Sequence, residues 1–306
     1  MENKRPIVVV LMAVYNGISW LPEQVRSIML QSDVDVKLFI SDDGSNDGSQ
    51  SWLEDLAGTD DRIHILPQKS NTGSAGKNFY RLICDADVGD ADFIALADQD
   101  DIWFTHKLAD QIEQIHQFCA DGVSSNVIAF WPDGSRHLIN KAFPQKKFDF
   151  LYESAGPGCS FLIKSTLFLQ IKSFLENTED MASLPELHDW LIYAVCRAIG
   201  NKWHIADSPM LEYRQHSGNV IGAHYGMKAR LRRIQSIRRG WYRLEVQKIS
   251  HIVLGLTRSR ELQNVCGQLI QLSLYDRFKL LFTITETRRN RSEQFALALL
   301  LISFTF

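Results

Sequence analysis

What most constrains this chain is the rhythm of its first half, where short β-branched runs alternate with amphipathic helical stretches. Ile7–Met12, Val36–Ile40, Ile63–Leu66 and Asp92–Ala97 read as strands. Phe79, Leu82, Ile83 and Ala86, and later Leu108, Ile112, Ile115 and Cys119, recur at the i, i+3/i+4, i+7 spacing that lines one face of a helix. Strands alternating with helices in this way form βαβ units around a mostly parallel sheet. Open parallel sheets bind ligands at the carboxyl ends of their strands, where loops leave the buried layer and helix N-termini converge. The loops after Met12, Ile40, Leu66 and Ala97 are therefore the ones in which chemistry is expected.

Beyond Phe118 the pattern is mixed. Val127–Trp131 and Gly158–Ile163 read as strands joined by a polar, irregular connection from Asp133 to Phe148. A helix is expected over Leu187–Ile199 and a short strand over Leu211–Arg214, with only helices after Met227 and no internal repeat. The 306 residues, 45% hydrophobic and 23% charged, suit a soluble globular protein of about two domains and exclude a disordered or collagen-like chain. Five cysteines without a Cys-x-x-Cys pair, set in apolar stretches, read as reduced, buried thiols of a cytosolic protein. Met1–Pro6 lacks the basic-apolar-small pattern of a secretory signal, and no apolar run reaches the ~18 residues that span a bilayer.

Two acidic loops carry the chemical content. Asp42-Asp43-Gly44-Ser45-Asn46-Asp47-Gly48-Ser49 follows the second strand. It reads either as turn and helix-capping chemistry or as a calcium loop, although the preceding strand argues against an EF-hand. Asp98-Gln99-Asp100-Asp101 follows the fourth strand and concentrates three carboxylates within four positions. Crowded negative charge destabilises unless a cation or donors balance it, and an extended Asp-x-Asp suits Mg²⁺ or Mn²⁺ gripping a diphosphate. The rival reading is a helix N-terminus stabilised by acids near its dipole. Asn71-Thr72-Gly73-Ser74-Ala75-Gly76-Lys77-Asn78 fails the P-loop spacing, because Asn stands where Gly and Ser/Thr are required.

Taken in order, Ala13-Val14-Tyr15-Asn16-Gly17, Asp42-Asp43-Gly44-Ser45-Asn46-Asp47, Asn71-Thr72-Gly73, Asp98-Gln99-Asp100-Asp101, Pro185-Glu186-Leu187-His188-Asp189-Trp190 and Tyr213-Arg214-Gln215-His216-Ser217-Gly218-Asn219 resemble the motif series of the family-2 glycosyltransferases. The resemblance covers about residues 6–222 and is greatest to the bacterial rhamnosyltransferase-like branch. It implies a glycosyltransferase-A fold: a mostly parallel nucleotide-binding sheet flanked by helices, here with a C-terminal helical appendage. It also implies an inverting, metal-dependent transfer of a sugar from dTDP-rhamnose or a UDP-sugar to a glycan or lipid-linked acceptor, in bacterial surface polysaccharide synthesis. By the same resemblance Ala13, Val14, Tyr15, Asn16, Asp43, Asn71, Lys77, Asp98 and Gln99 bind the nucleotide sugar. Asp100 and His216 hold Mn²⁺ or Mg²⁺, and Asp189 is the general base. Asp189 as a plain helix cap and His216 as an ordinary loop histidine stay open on the residues alone. A non-catalytic calcium- or carbohydrate-binding module and a metal-dependent phosphohydrolase are the rivals from other classes.

The remaining stretch, 227–306, is set apart from a catalytic domain over 1–226. Between Lys228 and Arg291 stand fifteen Lys/Arg against four acids, +11, so the rest of the chain, whose total is −3, carries −14. Leu231, Ile234, Ile237, Trp241 and Leu244 fall on one helical face, with Arg232, Arg233, Arg239 and Arg243 on the others. Such a basic helix either binds an anionic membrane or is a solvated face packed on the catalytic domain or on a partner subunit, as in a homo-oligomer. Nucleic acid is not expected, since no base-reading motif accompanies the charge. The expected location is the cytoplasm, peripherally attached to the inner face of the cell membrane.

Overall fold

In the computed structural model, which describes residues 4–216, 240–303 and 306, the first strand is β1, Ile7–Val14, an interior strand of the main sheet. Its Val8–Val14 stretch is buried on both faces, as an all-apolar run in a parallel sheet requires. Around it β2 (Asp35–Asp42), β3 (Ile63–Ile65), β4 (Phe93–Ala97), β6 (Gly122–Ser125), β9 (Leu162–Lys164) and β10 (Trp203–Ala206) form a seven-stranded sheet, ordered β10-β6-β9-β4-β1-β2-β3. β1 pairs in parallel with β2 and with β4, whereas β9 runs antiparallel between β4 and β6. A second sheet, ordered β5-β11-β7-β8, joins Ile102–Trp103, Leu211–Arg214, Val127–Phe130 and Arg136–Ile139.

The helices follow from the sequence periodicity. In α1, Leu21–Met29, residues Leu21, Val25 and Ile28 are buried, and Pro22 sits in the first turn, where its missing N–H is not needed. α2 is Ser49–Ala57 and α3 is Ala75–Asp85, the latter capped by Ser74 Oγ accepting from the Lys77 amide. α4 (Lys107–Gln117) and α5 (Ser165–Glu176) complete this layer. The core gathers Val8, Val10, Met12, Leu38, Ile40, Ala95, Leu108, Ile112, Ile115, Cys159 and Leu162.

By contacts the chain forms two units. The first comprises Met1–Ala142, Gly156–Glu179 and Lys202–Gly222. The second comprises Phe143–Ala155, Asp180–Asn201 and Ala223–Phe306. Segments 143–155 and 180–201, ahead of the boundary expected at 226, thus cluster with the C-terminal helices. In the second unit α6 (His188–Ala198), α7 (Trp241–Leu256), α8 (Arg260–Gln271), α9 (Leu274–Phe282) and α10 (Arg291–Ile302) follow one another.

Several expectations are corrected. Gly158–Ser160 is a 3-10 turn after Pro157, so the strand begins only at Leu162. The connection from Asp133 to Phe148 contains β8, a short partly exposed strand whose alternation is too brief to read. β6 and β10 are not marked by the sequence, because Gly122-Val123-Ser124-Ser125 and Trp203-His204-Ile205-Ala206 are four residues each and interrupt their apolar positions with Gly, Ser and His although largely buried. All five cysteines are free, but Cys119 is exposed and Cys84 half-buried. Most of the basic face expected over Leu231–Leu244 lies outside the described residues, where α7 begins at Trp241.

Candidate active site

The loops after β1 and β2 are stitched together. Asn16, in the left-handed region at φ 50°, donates its amide to Ser45 Oγ at 2.8 Å and accepts from the Asn46 amide at 2.9 Å through Oδ1. The Gly17 amide donates to Ser49 Oγ at 3.0 Å, and the Ile18 amide to Asp47 Oδ2 at 3.0 Å. Tyr15 is fixed by Gln99, whose Oε1 accepts from the Tyr15 amide at 2.8 Å while its Nε2 donates to the Tyr15 carbonyl at 3.0 Å. A Cβ at Gly17 would lie 2.3 Å from Gln99 Oε1, so this pairing needs glycine there. Ala13 and Val14 are buried at the end of β1, while the Tyr15 side chain is exposed.

Asp42 and Asp43 have separate duties. Asp42 Oδ1 accepts from Ser45 Oγ at 2.6 Å and from the Ser45 amide at 3.1 Å, which is turn chemistry. Buried Asp43 reaches across to the third loop, accepting from the amides of Thr72 and, at 3.0 Å, Gly73. Gly44 makes room for this approach, since a Cβ there would meet the Asn71 side chain at 2.3 Å. Asn71 and Lys77 are exposed beside it. In the loop weighed as a calcium loop, Asp43 and Asp47 thus serve backbone amides, and strand β2 precedes it.

The loop after β4 is bent rather than extended, and this changes which carboxylates meet. Asp100 Oδ2 lies 2.6 Å from His216 Nε2, and the His216 ring stacks on Trp20 at 4.0 Å between centroids. Asp98 and Asp101 come together instead, with Cys159, their ligating atoms all within 4.8 Å. β5 pairs antiparallel with β11 in the register Leu211↔Trp103 and Glu212↔Ile102, which carries Arg214 alongside the acidic loop. Arg214 donates its amide to Asp101 Oδ1 at 3.2 Å and its Nε to the Asp100 carbonyl at 2.8 Å. Its guanidinium also pairs with Glu23 and covers the Phe130 ring.

Sequence reasoning missed the support beneath this loop. On α1, Gln24 Nε2 donates to the Asp98 carbonyl at 2.9 Å and Ser27 Oγ accepts from the Trp103 amide at 3.0 Å, and just past the end of the helix Gln31 Nε2 donates to the Phe104 carbonyl at 2.8 Å. Gln24, Ser27 and Gln31 stand at i, i+3, i+7, a polar stripe on a face that would otherwise be apolar. That misplaced polarity is the signal that could have revealed them. Lys107 is fully buried, with Nζ 3.8 Å from the Trp103 ring centroid and 3.0 Å from Gln111 Oε1.

Burial sets the electrostatics. Desolvation raises the Asp100 pKa despite the opposing pull of His216, and raises that of Asp101 further, with Asp100 and Asp98 adding repulsion. Burial likewise raises the Cys159 and Tyr213 pKa values beside these carboxylates, and lowers that of Lys107 to about 7. Asp101 Oδ2 is buried without an N–H or O–H donor, beside the Cys159 thiol. Crowded carboxylate oxygens with one oxygen unsatisfied fit a small, oxygen-seeking divalent cation, whereas a protonated thiol does not.

Asp189 belongs to the second unit. It stands in the first turn of α6, and its Oδ1 accepts from the Trp190 amide at 2.6 Å. In the same unit Asp149 is enclosed by Arg197 at 3.2 Å, Arg289 at 3.3 Å and the Tyr193 hydroxyl. Glu153 faces Arg289 at 3.3 Å and Arg288 at 3.5 Å. Part of the positive charge assigned to a surface tail is therefore buried in internal ion pairs.

A mostly parallel sheet with an acidic loop at the carboxyl end of β4 is the glycosyltransferase-A arrangement. The sequence pattern of the family described as "Glycosyl transferase family 2" matches residues 9–169, and the chain belongs to that family. The dTDP-rhamnosyl transferase RfbG of Shigella flexneri is 42% identical over 241 residues, 78% of this chain and 83% of that relative. An Escherichia coli relative, UDP-Glc:alpha-D-GlcNAc-diphosphoundecaprenol beta-1,3-glucosyltransferase WfgD, is 26% identical over 66% of this chain and 78% of its own. Among solved structures, S. aureus TarS 1–349 in complex with UDP-GlcNAc shares the fold at a TM-score of 0.61 and 14% identity, covering 89% of this chain and 72% of that one. The chain is a glycosyltransferase with a rhamnosyltransferase-like sequence.

Proposed function

We propose that this chain moves rhamnose from dTDP-rhamnose to a hydroxyl of a glycan or lipid-linked acceptor, with inversion and with Mn²⁺ or Mg²⁺, during bacterial surface polysaccharide synthesis at the inner face of the cell membrane. The observation that carries the reading is the loop from Asp98 to Asp101 meeting His216 at the carboxyl edge of the sheet. The 42% identity to a dTDP-rhamnosyl transferase supports the donor.

The base and ribose would lie against the Ala13-Val14-Tyr15-Asn16 backbone, Asp43, Asn71 and Lys77, with Asp98 and Gln99 closing the ribose side. Asp100 and His216 would hold the cation, which would also offset the crowded charge of Asp98 and Asp101, and their mutual hydrogen bond would give way to it. When bound, the cation neutralises charge developing on the departing diphosphate oxygens. Asp189 accepts the acceptor's hydroxyl proton as its oxygen bonds to the anomeric carbon and the bond to the diphosphate breaks. General-base assistance of that kind is typically worth ~10²–10⁴ in rate.

Ligand-induced thermal shift with dTDP-rhamnose, UDP-GlcNAc and UDP-glucose, with Mn²⁺ or chelator, tests the donor and the metal together. At a hundredfold excess over Kd a true donor adds about 2.7 kcal/mol of stability. The largest shift is expected for dTDP-rhamnose with Mn²⁺, and it should vanish with chelator and in Asp100→Asn. Equal shifts with and without metal would contradict the metal assignment, and a preference for a UDP-sugar would replace the donor.

A further inference from the structure

Helix α9 buries Leu280 together with two charged residues and exposes aromatic surface. Its acid, Asp276, is buried as the partner of Ser273 in a capping box, and Arg277 is buried with its guanidinium donating to the Leu272 and Phe306 carbonyls. Leu274, Tyr275, Phe278 and Phe282, by contrast, point outward, 60–76% exposed. The neighbouring α10, which packs against α9, adds exposed Phe295 and Leu299. Soluble proteins rarely display contiguous apolar patches beyond a few hundred Å², and those that do use them to bind something.

We infer that this face of α9 and α10 is a monotopic docking surface for an anionic phospholipid bilayer. Aromatic and aliphatic side chains on one face of a short helix suit the boundary between headgroups and acyl chains. Lys279 stands among them with Nζ 4.3 Å from the Tyr275 ring centroid, where its stem covers apolar surface while the ammonium reaches phosphate. The exposed charges of α9 and α10 are both cations, Lys279 and Arg291, because Asp276 is buried and Glu293 is half-buried against Arg288. A second copy suits the patch less well, because a two-fold contact sets the patch against itself and brings Lys279 toward its own counterpart. Among the described residues no helix is long and apolar enough to cross a membrane, so this attachment lies on the bilayer rather than through it. The inference rests on the proposed membrane location and is independent of the donor.

The test is co-sedimentation of the full chain with vesicles of pure phosphatidylcholine or of phosphatidylcholine containing phosphatidylglycerol. Wild type should partition onto the anionic vesicles. Phe278→Ser/Phe282→Ser should lose that partitioning at least tenfold, and Lys279→Glu should lose it on anionic vesicles in particular. The thermal shift given by dTDP-rhamnose should be retained in each variant, which separates failure of this surface from failure of the glycosyltransferase reading and reports that the chain is folded. Unchanged sedimentation in both variants would overturn the inference. So would a lipid-free dimer that the double serine variant converts to a monomer while wild type ignores vesicles.

Discussion

Gly17→Ala probes the join between the first loop and the acidic loop. The added Cβ would sit 2.3 Å from Gln99 Oε1 and 2.7 Å from Gln99 Cδ. Since that amide is the far end of a flexible side chain, it can swing away, so the loss comes from what it leaves. Swinging away breaks both bonds to Tyr15, of 2.8 and 3.0 Å. At about 0.5–1.5 kcal/mol each, the pair is worth about 1–3 kcal/mol. For a domain of about 150–250 residues each kcal/mol is about 2–4 °C, so Tm should fall by about 5 °C. Donor affinity should weaken as well, because the freed Tyr15 backbone is the proposed nucleotide cradle. The assay is thermal unfolding with and without dTDP for wild type, Gly17→Ala, Gln99→Ala and the double variant. Both single changes break one interaction, so the double should be no worse than Gln99→Ala alone. Additive losses, or a Gly17→Ala protein as stable as wild type, would refute the reasoning.

Three further outcomes are expected. Lys107 has a folded pKa near 7 against 10.5 unfolded, so the unfolded chain binds the extra proton between those values and stability should rise with pH there, by up to about 1.4 kcal/mol per unit. Lys107→Met should flatten that rise in denaturant midpoints measured from pH 6.5 to 9.5, and parallel curves would contradict it. Arg289→Met leaves Glu153 and Asp149 short of a buried partner and should destabilise the second unit by about 3–5 kcal/mol in urea unfolding; a loss below about 1 kcal/mol would mean that the ion pairs are dispensable. Gln24→Leu, which removes the donor to the Asp98 carbonyl, should weaken Mn²⁺-dependent donor binding several-fold more than metal-free dTDP binding, and an equal loss in both would place its effect outside the acidic loop.

Much of the nucleotide-binding half was legible because β1, β2 and β4 are apolar enough to read without tertiary information, and their carboxyl ends carry Asp43 and Asp98 to Asp101. The resemblance had set Asp100 beside His216, but the bend that sends Asp98 to Asp101 was not legible, since the loop is held from outside by Gln24 and Arg214. Cys159 was invisible for a similar reason: it arrives on a 3-10 turn far along the chain. β6 and β10 each hold a single β-branched residue, Val123 and Ile205, too few to mark a strand, and Gly122 is small because a Cβ there would meet the Trp203 ring at 2.4 Å. The second unit was obscured by its assembly from three separate stretches of chain. The two buried charged residues of α9 run against the rule that charges face water, so periodicity alone could not orient it.

The most direct test of the central claim is release of dTDP from dTDP-rhamnose in the presence of acceptor-bearing membranes, with the anomeric configuration of the product read by NMR. Wild type should release dTDP only with Mn²⁺ or Mg²⁺ and acceptor, forming the inverted linkage. Asp189→Asn should bind donor normally while kcat falls by ~10² or more. Asp189→Asn turning over at the wild-type rate, or a product with retained configuration, would contradict the account.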